Sequence, residues 1–132
     1  MTAETREYED ALRRLAIDDE EFVALILARY SATSTAEGLE PGHGAIDDYT
    51  RRLVALAALI AVGSGPTSIE AAVSAAFGAG ASRDQIVEVL LSITPAVGAG
   101  RVVSCAPAVA AAIGYDLDAD LEQLHPVAAT SD

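Results

Sequence analysis

The chain has 132 residues, 52% of them hydrophobic, and a formal net charge of -12, which suits one folded domain with a sizeable core. Its 20 acidic residues face only 8 basic ones, all of them arginine, so no positive surface for nucleic acid can be assembled. A single cysteine excludes a disulfide or a thiol pair within the chain.

Aromatic residues make up only 5% of the chain, so Ala, Val, Leu and Ile must fill the core. Such small side chains favour closely packed helices, and we predict an all-α, single-domain bundle of about six helices over residues 1–132. The N-terminus is charged where a signal peptide has an apolar centre, which predicts a cytoplasmic protein.

The N-terminal helices are predicted within residues 3–30. The first carries a narrow apolar stripe of Tyr8, Leu12 and Leu15 among many charges. Asp18 or Asp19 caps the second. Residues 31–45 are rich in Ser, Thr, Gly and Pro, which predicts one long loop, either a lid or a mobile connector.

The chain from 47 to 116 holds the predicted core. Asp47 or Asp48 begins a third helix that ends near Val62. Ser64 is then the expected cap, with Pro66 in the first turn, of a fourth helix that ends at glycines 78 and 80. The uncharged run 53–69 is interrupted by Gly and Pro and is too short to span a membrane.

The fifth helix begins with a capping box at Ser82 and is ended or kinked by Pro95. The sixth, within GRVVSCAPAVAAAIG, is apolar on all sides except for Arg101. A short chain has few fully interior helix positions, so this surplus predicts a homo-oligomer. The acidic tail 117–132 carries a short helix capped by Asp118, and its His125 is expected to be solvated.

The run from Asp47 to Asp116 resembles the carboxymuconolactone decarboxylase family, which includes the alkylhydroperoxidase D-type proteins. The resemblance lies in three markers, namely the TRRLVALA helix start, the AGAS helix end and the GAGR helix junction. It implies an all-helical fold that assembles as dimers, trimers or hexamers.

The chain departs from the peroxidase branch of that family, whose turn between the first two core helices carries a CxxC pair followed by a His. Counting from the AGAS end places the cysteine positions on Gly65 and Ser68 and the His on Ala72, whereas the TRR start places the pair on Ser64 and Thr67. The branch's Glu falls on Arg52. Neither register gives a thiol, which disfavours a thiol peroxidase.

Two arginines are candidates for binding an anionic substrate. Arg101 is the only charge between Val89 and Tyr115, so its guanidinium needs a negatively charged partner. The partner is either an anionic ligand or, as the alternative, Glu88 or an acidic residue of a neighbouring subunit. Arg52 falls on the apparent core stripe of Ala55, Leu56 and Leu59 and either binds a carboxylate or pairs with Asp48 one turn earlier.

The proton-transfer candidates are Glu70 and His43. Glu70 is the only carboxylate between Arg52 and Asp84; burial would favour its protonated form, and the plain alternative is a favourable position early in a helix. His43 lies in the flexible loop and is either a mobile acid or base or an exposed residue without a role.

The hydroxyl groups of Ser64, Thr67 and Ser68 are candidates for substrate binding or for helix capping. Cys105 is interpreted as a small buried hydrophobic residue. No cofactor and no metal are expected.

The sequence predicts a carboxymuconolactone decarboxylase-like protein that acts without thiol redox chemistry on a small anionic organic acid, by decarboxylation or a related lyase or isomerase step. The alternative is a non-catalytic homo-oligomeric module that binds a ligand or partner and has kept only the fold.

Overall fold

The computed structural model describes residues 3–30 and 44–115. These residues form six helices and no strand, so the predicted all-α fold is confirmed. The helices are α1 (Ala3–Ala16), α2 (Glu20–Arg29), α3 (Asp48–Val62), α4 (Pro66–Gly78), α5 (Arg83–Val97) and α6 (Ala99–Ala112).

The chain divides into two compact units, Met1–Gly44 and Ala45–Asp132. One domain over residues 1–132 stays a prediction. Most of the predicted loop 31–45 and the whole predicted tail helix at Asp118 lie outside the described residues.

The first unit contains α1 and α2. Asp19 is the cap of α2, since its carboxylate accepts a hydrogen bond from the Phe22 N–H at 3.2 Å, while Asp18 makes the preceding turn with a φ of 55°. The Arg14 guanidinium lies over the Phe22 ring, 5.6 Å from its centre. No residue of α2 is buried.

The second unit packs α3, α4, α5 and α6 around one hydrophobic core. Each helix contributes two or three buried residues at a spacing of three or four, as expected for helices that present one apolar face. The fully buried side chains are those of Leu56, Ile60, Ile69, Val73, Ala76 and Ile86.

Helix α3 begins at Asp47, as predicted. The Asp47 carboxylate accepts a hydrogen bond from the Thr50 N–H at 2.8 Å. Hydrogen bonds from Thr50, helped by the positive charge of Arg51, lower the pKa of the Asp47 carboxyl below its ordinary value. The charged carboxylate is therefore the form that stabilises the start of α3.

A glycine with positive φ follows both α3 and α4, Gly63 directly after α3 at 75° and Gly80 two residues after the end of α4 at 102°. At the end of α3 the Gly63 N–H donates to the Ile60 carbonyl at 3.1 Å and the Ser64 N–H donates to the Leu59 carbonyl at 3.0 Å. This pattern satisfies the last carbonyls of the helix. The predicted end of α4 is confirmed.

The prediction that Ser64 caps α4 is wrong. The cap position is Gly65, in an extended conformation and without a side-chain hydrogen bond. Ser64 is part of the closing turn of α3, and Pro66 supplies the helical φ at the start of α4. Thr67 and Ser68 lie one and two positions inside the helix and do not cap it either.

The capping box at the start of α5 is confirmed, with Ser82 and Gln85 bonding each other's backbone N–H at 3.1 and 2.8 Å. Pro95 does not end the helix, which continues to Val97. Pro107 likewise lies inside α6. Both prolines are on exposed positions.

None of the helices in the described residues has the length and apolar character to cross a membrane.

The lowered pKa of Asp47 makes the stability of α3 dependent on pH. Its contribution is present at neutral pH and is lost as the pH falls through the lowered pKa, below about 4. Asp47→Asn keeps an acceptor but cannot titrate, so we expect the difference in urea midpoint between wild type and variant to shrink from pH 7 to pH 3.

The matched control is Asp84→Asn, because Asp84 also lies in the first turn of a helix but does not cap it. A difference between wild type and Asp47→Asn that stays constant with pH would contradict the assignment.

Candidate functional site

The turn from Gly63 to Ser68 is the point at which three helices meet. It joins α3 to α4, and the first turn of α6 reaches it through Arg101. A Cβ built on Gly63 would collide with Nη1 of Arg101 and would lie 3.1 Å from Cζ and 3.8 Å from Nε. The structure therefore places the Arg101 guanidinium on the bare backbone of Gly63.

The helix ends give this turn a polar character. The C-terminal end of α3 carries a partial negative charge, which favours the nearby guanidinium, and the N-terminal end of α4 carries a partial positive charge. The first intrahelical bond of α4 is donated by the Ile69 N–H to the Gly65 carbonyl at 3.2 Å. The N–H groups of Thr67 and Ser68 precede it and are open to an acceptor.

Cys105 holds α6 against the end of α3. Its thiol is buried, with 6% of the residue exposed, and donates to the Ile60 carbonyl at 3.7 Å. Cys105 lies one helical turn after Arg101, so the same face of α6 carries both. The interpretation of Cys105 as a small buried residue agrees with this position.

Arg52 does not join Arg101 within one chain. The residues of α3 that face the core are Leu53, Leu56 and Ile60. The predicted core stripe began at Arg52 and was therefore shifted by one residue. Arg52 pairs instead with Asp48 at 3.4 Å, which was the alternative. By helix rise it lies about 16 Å along α3 from Gly63.

Of the hydroxyl candidates, Ser64 is half-buried in the turn, while Thr67 and Ser68 are exposed. Glu70 follows on α4 and is also exposed in the single chain. His43 lies outside the described residues.

The ion pair between Arg101 and Glu88, which was one of the alternatives, does not form within the chain. Within residues 3–30 and 44–115 no carboxylate lies within 4.0 Å of the Arg101 guanidinium, whereas four of the other arginines make ion pairs. Arg101 is exposed, so the guanidinium is available to a ligand.

Sequence reasoning missed an apolar groove of about 310 Å³ between α3 and α5. Its only polar side chains besides the Tyr49 hydroxyl are Gln85, Glu88 and Ser92. The apolar lining comes from Tyr49, Leu53, Val54, Ala57, Val89 and Ile93. Val54 could have indicated this groove from the sequence, because it is apolar but lies outside the core stripe of α3.

The described part of the chain holds no group of three or more His, Cys, Asp or Glu side chains that is arranged to bind a metal ion. Among the described residues, the turn carries the cation of Arg101, hydroxyl groups and backbone N–H groups, and the carboxylate of Glu70 follows it by two residues in sequence.

A protein-family model described as the carboxymuconolactone decarboxylase family matches residues 24–111. The match covers more than half of the chain and includes the Gly63–Ser68 turn and Arg101. No curated protein and no solved structure was found to match the sequence.

Proposed function

The chain belongs to the carboxymuconolactone decarboxylase family, and from that premise we propose that it binds a small organic acid anion at the Gly63–Ser68 turn. The observation that carries the proposal is the Arg101 guanidinium, which lies on Gly63 beside the start of α4 without a carboxylate partner among the described residues. A carboxylate there would meet the cation and the N–H groups of Thr67 and Ser68 together.

The proposed reaction is decarboxylation or a related lyase or isomerase step. In decarboxylation the bond between the carboxylate carbon and its neighbour breaks, CO2 leaves, and the electron pair moves into an enolate that is then protonated. A cation that holds the departing carboxylate stabilises the reactant. Arg101 therefore assists the reaction by holding the enolate oxygen or a second carboxylate that stays on the product.

Glu70 is the group proposed to move the proton, because it is the carboxylate nearest in sequence to the turn and lies on the first turns of α4. A carboxyl group that is shielded from water keeps its proton to a higher pH, so that more of the acid form is present to act as a proton donor. Since Glu70 is exposed in one chain, the proposal requires the substrate or a second copy of the chain to cover it.

Thiol redox chemistry is not part of the proposal. The sequence contains one cysteine, and Cys105 is buried with its thiol bonded to the Ile60 carbonyl. Reduction of a peroxide by a dithiol needs an accessible thiolate and a resolving partner.

We expect Arg101→Ala to weaken carboxylate binding by about tenfold or more, because a charge-assisted hydrogen bond is removed. The measurement is the rise in melting temperature of the protein with increasing acetate, succinate or a lactone acid at constant ionic strength. Arg52→Ala is the control, since Arg52 already pairs with Asp48, and it should retain the response. Equal responses of wild type and Arg101→Ala would refute the site.

For the reaction, Glu70→Gln should lower kcat for a lactone acid by about 100-fold or more while leaving carboxylate binding nearly unchanged. Release of CO2 and loss of substrate are measured together. Glu88→Gln makes the same substitution on the exposed α5 surface and should keep full activity. If both variants turn over at the wild-type rate, Glu70 does not move the proton.

The second candidate is a homo-oligomeric binding module without catalysis. It is favoured by the exposed stripe of Val103, Pro107 and Ala111 on α6, which repeats every four residues and includes Val103 at 70% exposure. An apolar stripe of this kind is covered by a partner in many assemblies. In such a module a second copy of the chain covers the stripe, and the Gly63–Ser68 turn binds a ligand without catalysing a reaction or has no role.

Light scattering tests the assembly. Wild type is expected to have the mass of a dimer, trimer or hexamer, and Val103→Glu should reduce it to that of a single chain by placing a charge in the apolar contact. Ser74→Glu adds the same charge on the exposed side of α4 and should leave the mass unchanged. A wild type with the mass of one chain would rule out this interface.

A further inference from the structure

We propose that Gly63 is a positioning residue for Arg101, and that its bare backbone forms a seat that sets the direction in which the guanidinium meets an anion. The seat is the space beside the Gly63 backbone that a side chain would fill and that the guanidinium occupies. The part that concerns an anion rests on the proposed function, whereas the seat itself does not.

The geometry of the seat is specific. The space that a side chain at position 63 would fill is occupied by Nη1 of Arg101, with Cζ 3.1 Å and Nε 3.8 Å from the built Cβ. Nη1 is therefore the guanidinium atom closest to the space that a side chain at position 63 would fill.

Other glycines of the second unit do not share this arrangement. Gly80 and Gly98 also have positive φ, but a Cβ on either would have no atom within 4 Å. Gly114 has positive φ as well, and the only such atom there is Nη2 of Arg83, at 3.9 Å. Positive φ explains why glycine suits all four positions, and only Gly63 has a second requirement, the space taken by Arg101.

The seat is held from both sides. The Ile60 carbonyl accepts the Gly63 N–H at 3.1 Å, which fixes the end of α3. The same carbonyl accepts the thiol of the buried Cys105 at 3.7 Å, one turn after Arg101 on α6. The two contacts place the first turn of α6 beside Gly63.

A side chain at position 63 would move the guanidinium and cost little stability beyond the backbone strain. The colliding atoms are at the far end of a flexible, exposed arginine, which can turn into solvent at low energy. A displaced guanidinium keeps its charge but leaves its position on Gly63. In the proposal the anion binds at that position, because charge-assisted hydrogen bonds require aligned donors.

The test compares Gly63→Ala with Gly80→Ala. Both substitutions place a Cβ on a residue of positive φ. Gly63→Ala, in the left-handed helical region, should lower the folded-to-unfolded ratio by roughly 5- to 30-fold, and Gly80→Ala, at a φ of 102°, by at least as much. Gly63→Asn and Gly80→Asn form a second pair with less backbone strain, because Asn tolerates positive φ better than Ala. This second pair serves if the alanine variants do not fold.

Two readouts are needed. The first is the Nε–H signal of Arg101 in a ¹⁵N-edited NMR spectrum, assigned by its absence in Arg101→Ala; it should shift in the Gly63 variants and stay in place in the Gly80 variants. The second is the affinity for acetate and succinate, which should fall by about tenfold or more in the Gly63 variants only.

The outcomes separate the seat from the proposed function. An unmoved Arg101 signal in the Gly63 variants overturns the seat. A moved signal with unchanged carboxylate affinity overturns the positioning role. If wild type does not bind carboxylates, the proposed function fails, and the NMR comparison alone then decides whether the seat exists.

Discussion

The carbonyl of Ile60 joins the end of α3 to α6 beside the turn that carries the candidate site. It accepts the Gly63 N–H that closes α3 and the thiol of Cys105 on α6. One acceptor is therefore shared by the two helices. Because Arg101 precedes Cys105 by one turn, this contact brings the only cation on α6 close to the end of α3. The polar turn and the hydrophobic core are in this way parts of one structure, since Ile60 is also fully buried.

The helix boundaries could be predicted where a local signal acts alone. Asp47 and Ser82 accept hydrogen bonds from N–H groups three residues later, and Gly80 ends its helix in a conformation that other residues avoid. Ser64 shows the limit of such signals. Its side chain is of the kind that caps helices. Only three residues separate the end of α3 from the start of α4, however, and Ser64 is part of the closing turn of α3.

The candidate site could be predicted only in part. An arginine alone in an apolar helix must have a polar environment, and this reasoning identified Arg101. Its neighbour Gly63 lies on another helix and carries no side chain, so no pattern in the sequence connects the two. Arg52 was placed on the core stripe because repeats of three and four residues can begin at either of two neighbours, and the choice between Arg52 and Leu53 depends on tertiary packing.

The two prolines inside helices constrain what can cover the outer surface of the second unit. A proline has no N–H, so the carbonyls of Leu91 and Val103, four residues before Pro95 and Pro107, receive no helical hydrogen bond. Both residues are exposed, at 60% and 70%, and water can serve as the donor. A neighbouring molecule that packs over Val103 must therefore bring a hydrogen-bond donor or retain a water molecule at that carbonyl. A stripe that is apolar in its side chains thus requires a contact with a polar group or a water molecule at its centre.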